Sequence, residues 1–156
     1  MLNTPKIAAF LLASFASPLL LAAQPNINEM QGCQGVIDFV EHKVDGAADL
    51  YDDQDLATVK KGLVAYDQFI QKTVVSPGLL AFNNGDQGKA DAMQKQVDAY
   101  KASLVNNLNS RYPGSKLVTD YAVAVNDCAK KAVPQGDDLE ALKQSLETLV
   151  KLAQQG

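Results

Sequence analysis

Tryptophan is absent from this 156-residue chain, histidine occurs once and cysteine twice. The lone His42, set between Glu41 and Lys43, has no second histidine with which to hold zinc. It also lacks the serine and acid partners of any local signature for nucleophilic catalysis. Cys33 and Cys128 make no Cys-x-x-Cys pair, so the common zinc, thiol-redox and covalent-haem motifs are missing. Basic residues are the minority, 14 against 18 acidic. A chain with net charge −4 and no polybasic cluster is a poor match for a nucleic-acid backbone or an anionic lipid surface. No stretch alternates polar and apolar residues with period two, so strands are not expected. There is no internal repeat and no low-complexity tract. These absences predict a protein with no catalytic, cofactor-binding or metal-binding residues, and hence no enzyme.

What is present begins at the N-terminus. Lys6 precedes an apolar run from Ile7 to Phe15, followed by Ser17-Pro18 and then Leu19 to Ala23. A short positive region, an apolar centre and small residues at the end read as a secretory signal peptide over residues 1–23. Cleavage is expected between Ala23 and Gln24, because Pro25 would obstruct a cut one residue later, although Leu21 is larger than the position three before a cut prefers. Pro18 breaks the run short of the roughly 20 apolar residues that a spanning helix needs, so no stable membrane insertion is expected after cleavage. The mature product, residues 24–156, has the length of a single domain and is expected in the periplasm or released beyond it.

Across that domain the apolar residues recur at helical spacing. Met30, Cys33, Ile37, Val40, Val44, Ala47 and Tyr51 step by threes and fours, with Asn26 or Asn28 as a cap. Gly32, Gly35 and Gly46 lie off that seam. Leu56, Val59, Leu63, Tyr66, Ile70 and Thr73 form a second seam behind the acidic start at Asp53 to Asp55, and Pro77-Gly78 is expected to stop it. Ala90, Met93, Val97, Tyr100, Leu104 and Leu108 form a third, ended by Pro113-Gly114. Val118, Tyr121, Val125, Cys128 and Ala132 form a fourth, ended by Pro134. Leu139, Leu142, Leu146, Leu149 and Ala153 form a fifth, opened by Asp137 and Glu140 at capping-box spacing. The five tyrosines mostly fall on or near these seams and are read as core edges with hydroxyls reaching water. The expected fold is all-α: an up-down helical bundle of four to five antiparallel helices clamped by one disulfide, with the fifth covering a groove.

The cysteines test that fold independently. Cys33 lies near the start of the first helix and Cys128 near the end of the fourth, both on seams. Antiparallel neighbours bring those ends together, within the roughly 6 Å between Cα atoms that a disulfide requires. In an oxidising compartment an even cysteine count reads as paired.

The chain also resembles, in outline only, the exported helical cytochromes. Their non-covalent type pairs an early methionine with a histidine on the last helix. Met30 is suitably placed, but the last two segments hold no histidine, so Met30 is read as a core residue and no haem is expected.

Two features remain as candidate partner-binding sites. One is the acidic turn with Asp49, Asp52, Asp53 and Asp55, which lacks the residue order of a calcium loop and should share a bundle end with Arg111 and Lys116. The other is the apolar connection from Val74 to Phe82, with Leu79, Leu80 and Phe82 as anchors. The two should lie at opposite ends of the second helix. The expected function is non-enzymatic binding of another protein. One concrete form is an immunity protein against a cell-wall-degrading type VI secretion effector, a class this chain is similar to in outline. Carriage of a small apolar ligand within the bundle and a chaperone or adaptor role are the alternatives.

Overall fold

The side-chain oxygen of Asn26 accepts a hydrogen bond from the Asn28 amide at 2.9 Å and opens helix α1, Ile27–Asp45. The computed structural model describes residues 26–156, and the leader expected over residues 1–23 lies outside them. Asp52 accepts from the amides of Gln54 and Asp55 at 2.9 and 3.2 Å and opens α2, Asp53–Ile70. A π-helical turn, Gln71–Val75, runs directly into α3, Ser76–Phe82. Then come α4, Gln87–Arg111, α5, Thr119–Ala129, and α6, Gly136–Gln155. The described residues contain no strand.

The expected stop at Pro77-Gly78 does not occur, and the segment from Val74 to Phe82, read as an irregular connection, is helical. Inside a regular α-helix proline removes an N–H and its ring strikes the preceding turn. Here the Ser76 amide bonds to the Gln71 carbonyl, five residues back, and this wider turn places Pro77 in the first turn of α3, where a missing N–H breaks no α-helical bond. Val75 and Leu79 are thereby carried into the core. The chain reverses at Asn84 and Gly85, both with positive φ (52° and 81°), and the Gly85 amide returns to the Leu80 carbonyl at 2.9 Å.

Helices α1, α2, α6 and α5 form a ring of neighbours around the core. Met30, Ile37 and Val40 of α1 meet Val59, Leu63, Tyr66 and Ile70 of α2, Val125 of α5 and Leu142, Leu149 and Leu152 of α6. Ring neighbours are antiparallel. Asp45 of α1 pairs with Lys60 while Gln34 bonds Gln71; Asp55 of α2 pairs with Lys151 while Val59 O accepts from Ser145 Oγ at 2.7 Å. Cys33 and Cys128 close the α1–α5 pair with their Cα atoms 5.6 Å apart, where the matched ends of the seams place them.

Two expectations about the helices are corrected. The last helix, α6, is a full member of the ring, and α4 is the outlier, lying against α1 and α3. The apolar load explains the exchange: α6 buries three leucines, whereas of the 25 residues of α4 only Ala90 and Val97 are buried. The capping box at Asp137 and Glu140 does not form either. Gly136, at φ +58°, starts α6 earlier, behind an N-cap at Gln135 with no side-chain bond, and Asp137 sits in the first turn, where it favours the helix dipole.

The outer face of α1 accommodates α4. Gln31, Gly35, Phe39 and Lys43, spaced by fours, form a second buried stripe beside the apolar seam. Gly35 is the point of closest approach, since a Cβ there would stand 2.7 Å from Leu104 Cδ2. Lys43 donates to the Tyr112 carbonyl and, at 3.2 Å, to the Gly114 carbonyl, fixing the loop after α4. Its ammonium lies 5.2 Å from the centre of the Phe39 ring, and burial holds its pKa below lysine's ordinary value.

Candidate functional site

The hairpin from α3 to α4 leaves a groove between the start of α1, the end of α3 and the first half of α4. Leu79 and Phe82 lie on one side, Met93 and Val97 on the other, and α1 contributes the exposed Asn28 and the buried Gln31. The groove holds about 470 Å³, and a further depression along α4 shares Gln31, Gln96 and Val97 and ends at Tyr100. Gly78 lets Ile27 reach this wall, because a Cβ there would lie 2.5 Å from Ile27 Cδ1.

Burial divides the lining sharply. Phe82 is 70% exposed and Tyr100 58%, so both rings stand at the rim. Gln31 is only 5% exposed, yet its side-chain amide makes no hydrogen bond among the described residues, and it faces both depressions. Among the described residues no charged side chain lines either one.

The residues singled out in the sequence separate accordingly. Leu79 is buried at 4% exposure and belongs to the core as well as the groove wall. Leu80 is half-buried and Phe82 exposed. Of the acidic turn, Asp52 serves as the α2 cap and Asp55 pairs with Lys151 at 2.7 Å, while Asp49 and Asp53 are exposed. The ion pairs at this end come from Lys60 and Lys151, and Lys116 shares the end as expected, lying with the Tyr51 hydroxyl beside Gly156. Helical structure is unbroken from Asp53 to Phe82, so the two candidate surfaces do stand at opposite ends of one long rod. His42 is exposed, and Met30 is wholly buried. Tyr66 departs from its expected role as a core edge: it is wholly buried, its hydroxyl donates to the Ala132 carbonyl at 3.1 Å, and burial raises its pKa.

A second polar region, unmarked by any sequence motif, lies where α1, α2 and α4 converge. Gln34 Nε2 donates to Gln71 Oε1 at 3.0 Å, and Gln71 Nε2 donates to Gln94 Oε1 at 2.9 Å. Below this chain of amides sit Asp38, Glu41 and Asp67. Burial raises the pKa of all three, Glu41 to about 7, and the negative charges of Asp38 and Asp67 push Glu41 further in the same direction. Lys101 opposes the shift at Asp38 and Asp67, and Lys60 opposes it at Glu41. Glu41 can hold a proton near neutral pH, but neither depression above opens on these carboxyls. Among the described residues no group of three or more His, Cys, Asp or Glu side chains is placed to hold a metal ion.

Fold and site together define a disulfide-clamped helical bundle with one uncharged, amide-bearing groove, and no helix among the described residues is long and apolar enough to cross a membrane. Compared with known proteins, the chain matches no family model, no curated protein and no solved structure.

Proposed function

We propose that this protein is exported, carries no catalytic site and acts by binding another protein in the periplasm, in the manner of an immunity protein that blocks a cell-wall-degrading effector. The observation that carries this reading is Phe82, a large aromatic side chain 70% exposed at the end of a rigid helix and at the lip of a groove. Exposed aromatic anchors beside pockets supply most of the energy at protein interfaces, whereas exposed ion pairs contribute about 0–1 kcal/mol each. The disulfide supports export, because such bonds persist in oxidising compartments.

Two double variants test the choice of surface. Leu80→Ala with Phe82→Ala removes the apolar anchors and leaves the buried Leu79 in place. Asp52→Asn with Asp53→Asn neutralises the acidic turn while keeping a residue that can cap α2. Each is checked for folding by circular dichroism and then used for affinity capture from periplasmic extract. One stoichiometric partner retained by the aspartate variant and lost by the apolar variant is the expected result. Equal retention by both sinks the assignment of the interface to this end. A co-purifying small apolar molecule in place of a protein would favour a carrier.

A further inference from the structure

Resting on that protein-binding reading, we infer that the groove between α1, α3 and α4 takes an extended, uncharged polypeptide segment with an apolar side chain, whose main chain is met by the carboxamide of Gln31. Three observations point to this occupant. The first is Gln31 itself, 95% withdrawn from solvent and without a hydrogen bond among the described residues. No hydrogen bond within the described fold requires an amide at this position, and its polar atoms are not sealed in the core. What the amide offers instead is one donor group and one acceptor aimed into the groove, the same pair of functions that a peptide group presents.

The second observation is the absence of charge among the described residues that line it, in a chain that is net −4. A charged occupant would give up its hydration there and find no counter-ion. The third is the shape of the walls. Leu79, Met93 and Val97 give the walls an aliphatic surface suited to one inserted side chain, while the two aromatic rings, Phe82 and Tyr100, stand exposed at the rim rather than inside. The rim amides of Asn28 and Gln96 would be idle against a purely apolar lipid tail, but pair naturally with the backbone on either side of an anchored residue. Because the lining residues stand on helices, the site is formed before its ligand arrives, which limits the ordering cost of binding.

The test uses the mature, disulfide-bonded protein and three variants: Gln31→Leu, Gln96→Ala and Phe82→Ala. A phage-displayed library of random 12-residue peptides is panned on the parent protein, and the enriched peptides are synthesised and titrated by fluorescence polarisation. The expected consensus is an aliphatic or aromatic residue flanked by uncharged ones. Affinity should fall about tenfold in Gln31→Leu and about threefold in Gln96→Ala, as the loss of one buried and one exposed hydrogen bond implies. The melting temperature of Gln31→Leu should stay level or rise, and that of the exposed Gln96→Ala should not change. The inference is overturned if no peptide is enriched, if enriched peptides are charged or bind all variants alike, or if Gln31→Leu melts lower than the parent. It is also overturned if chitin oligosaccharides or alkyl detergents, titrated in parallel, show the Gln31 dependence instead. A partner protein that needs Phe82 but ignores Gln31→Leu would leave the protein-binding reading standing and remove only the peptide groove.

Discussion

Gly62 and Glu41 show how single positions set the limits of this fold. A Cβ on Gly62 would lie 2.3 Å from the Ala141 carbonyl oxygen and 2.4 Å from Ser145 Cβ. The first of these neighbours is backbone, so α2 and α6 would have to separate. Gly62→Ala should therefore lower stability by about 1–3 kcal/mol in urea denaturation despite alanine's better helix propensity. Gly32, with nothing within 4 Å of its would-be Cβ, is the control: Gly32→Ala should raise stability by up to about 1 kcal/mol. Glu41 makes the fold sensitive to pH. Its carboxyl is raised from 4.5 to about 7 in the folded chain, so the folded state binds that proton more tightly than the unfolded state does. The resulting stabilisation is complete below about 4.5 and lost as pH rises through about 7. Asp38 and Asp67 shift in the same direction. The melting temperature should fall between those two pH values, and Glu41→Gln should flatten the fall and melt higher than the parent at pH 8. A parent curve that rises over the same window would contradict the burial of these carboxyls.

Among the elements, α4 is the least firmly held. It buries only Ala90 and Val97 of its own residues and rests on the polar stripe of α1 and on the glutamine chain, whereas α2 and α6 share an apolar interface tight enough to exclude a methyl group at Gly62. Local opening follows buried apolar area. Hydrogen exchange should consequently show the α4 amides opening well before those of α2 and α6, and equal protection across all three would mean that α4 belongs to the cooperative core. The π turn at Gln71–Val75 works at the same scale. It aims Val75 and Leu79 inward and leaves Phe82 outward, which turns an expected loop into the rigid wall of the groove.

For the whole molecule, the decisive tie is the bond between Cys33 and Cys128, 95 residues apart in sequence. Closing a loop of that length restricts the unfolded chain, so Cys128→Ser should cost about 4–5 kcal/mol on the chain-entropy model. Denaturant titration of residues 24–156 measures that loss. Non-reducing peptide mapping should recover the Cys33 and Cys128 peptides joined, and free thiols under oxidising conditions would contradict both the bond and the antiparallel placement of α1 and α5.

Helix class, the antiparallel order of α1 and α5, the disulfide and most of the core were legible in the residues themselves. Apolar spacing from Met30 to Val44 and from Leu56 to Ile70 reports directly on a helix with one dry face. What escaped the sequence was set by neighbours far along the chain. Whether Pro77 ends a helix depends on whether a π turn precedes it, and that turn gains from burying Val75 and Leu79 against other elements. The second stripe of α1 reads as polar surface until α4 covers it. The setting of Gln31 arises only once α4, more than fifty residues later, settles beside it, and the raised pKa of Glu41 only once α2 brings Asp67 near it. Periodicity registers how much apolar surface a helix must hide, but which polar residues are trapped with it is decided by packing, because the cost of burying an amide or a carboxyl depends on the partners that tertiary structure supplies or withholds.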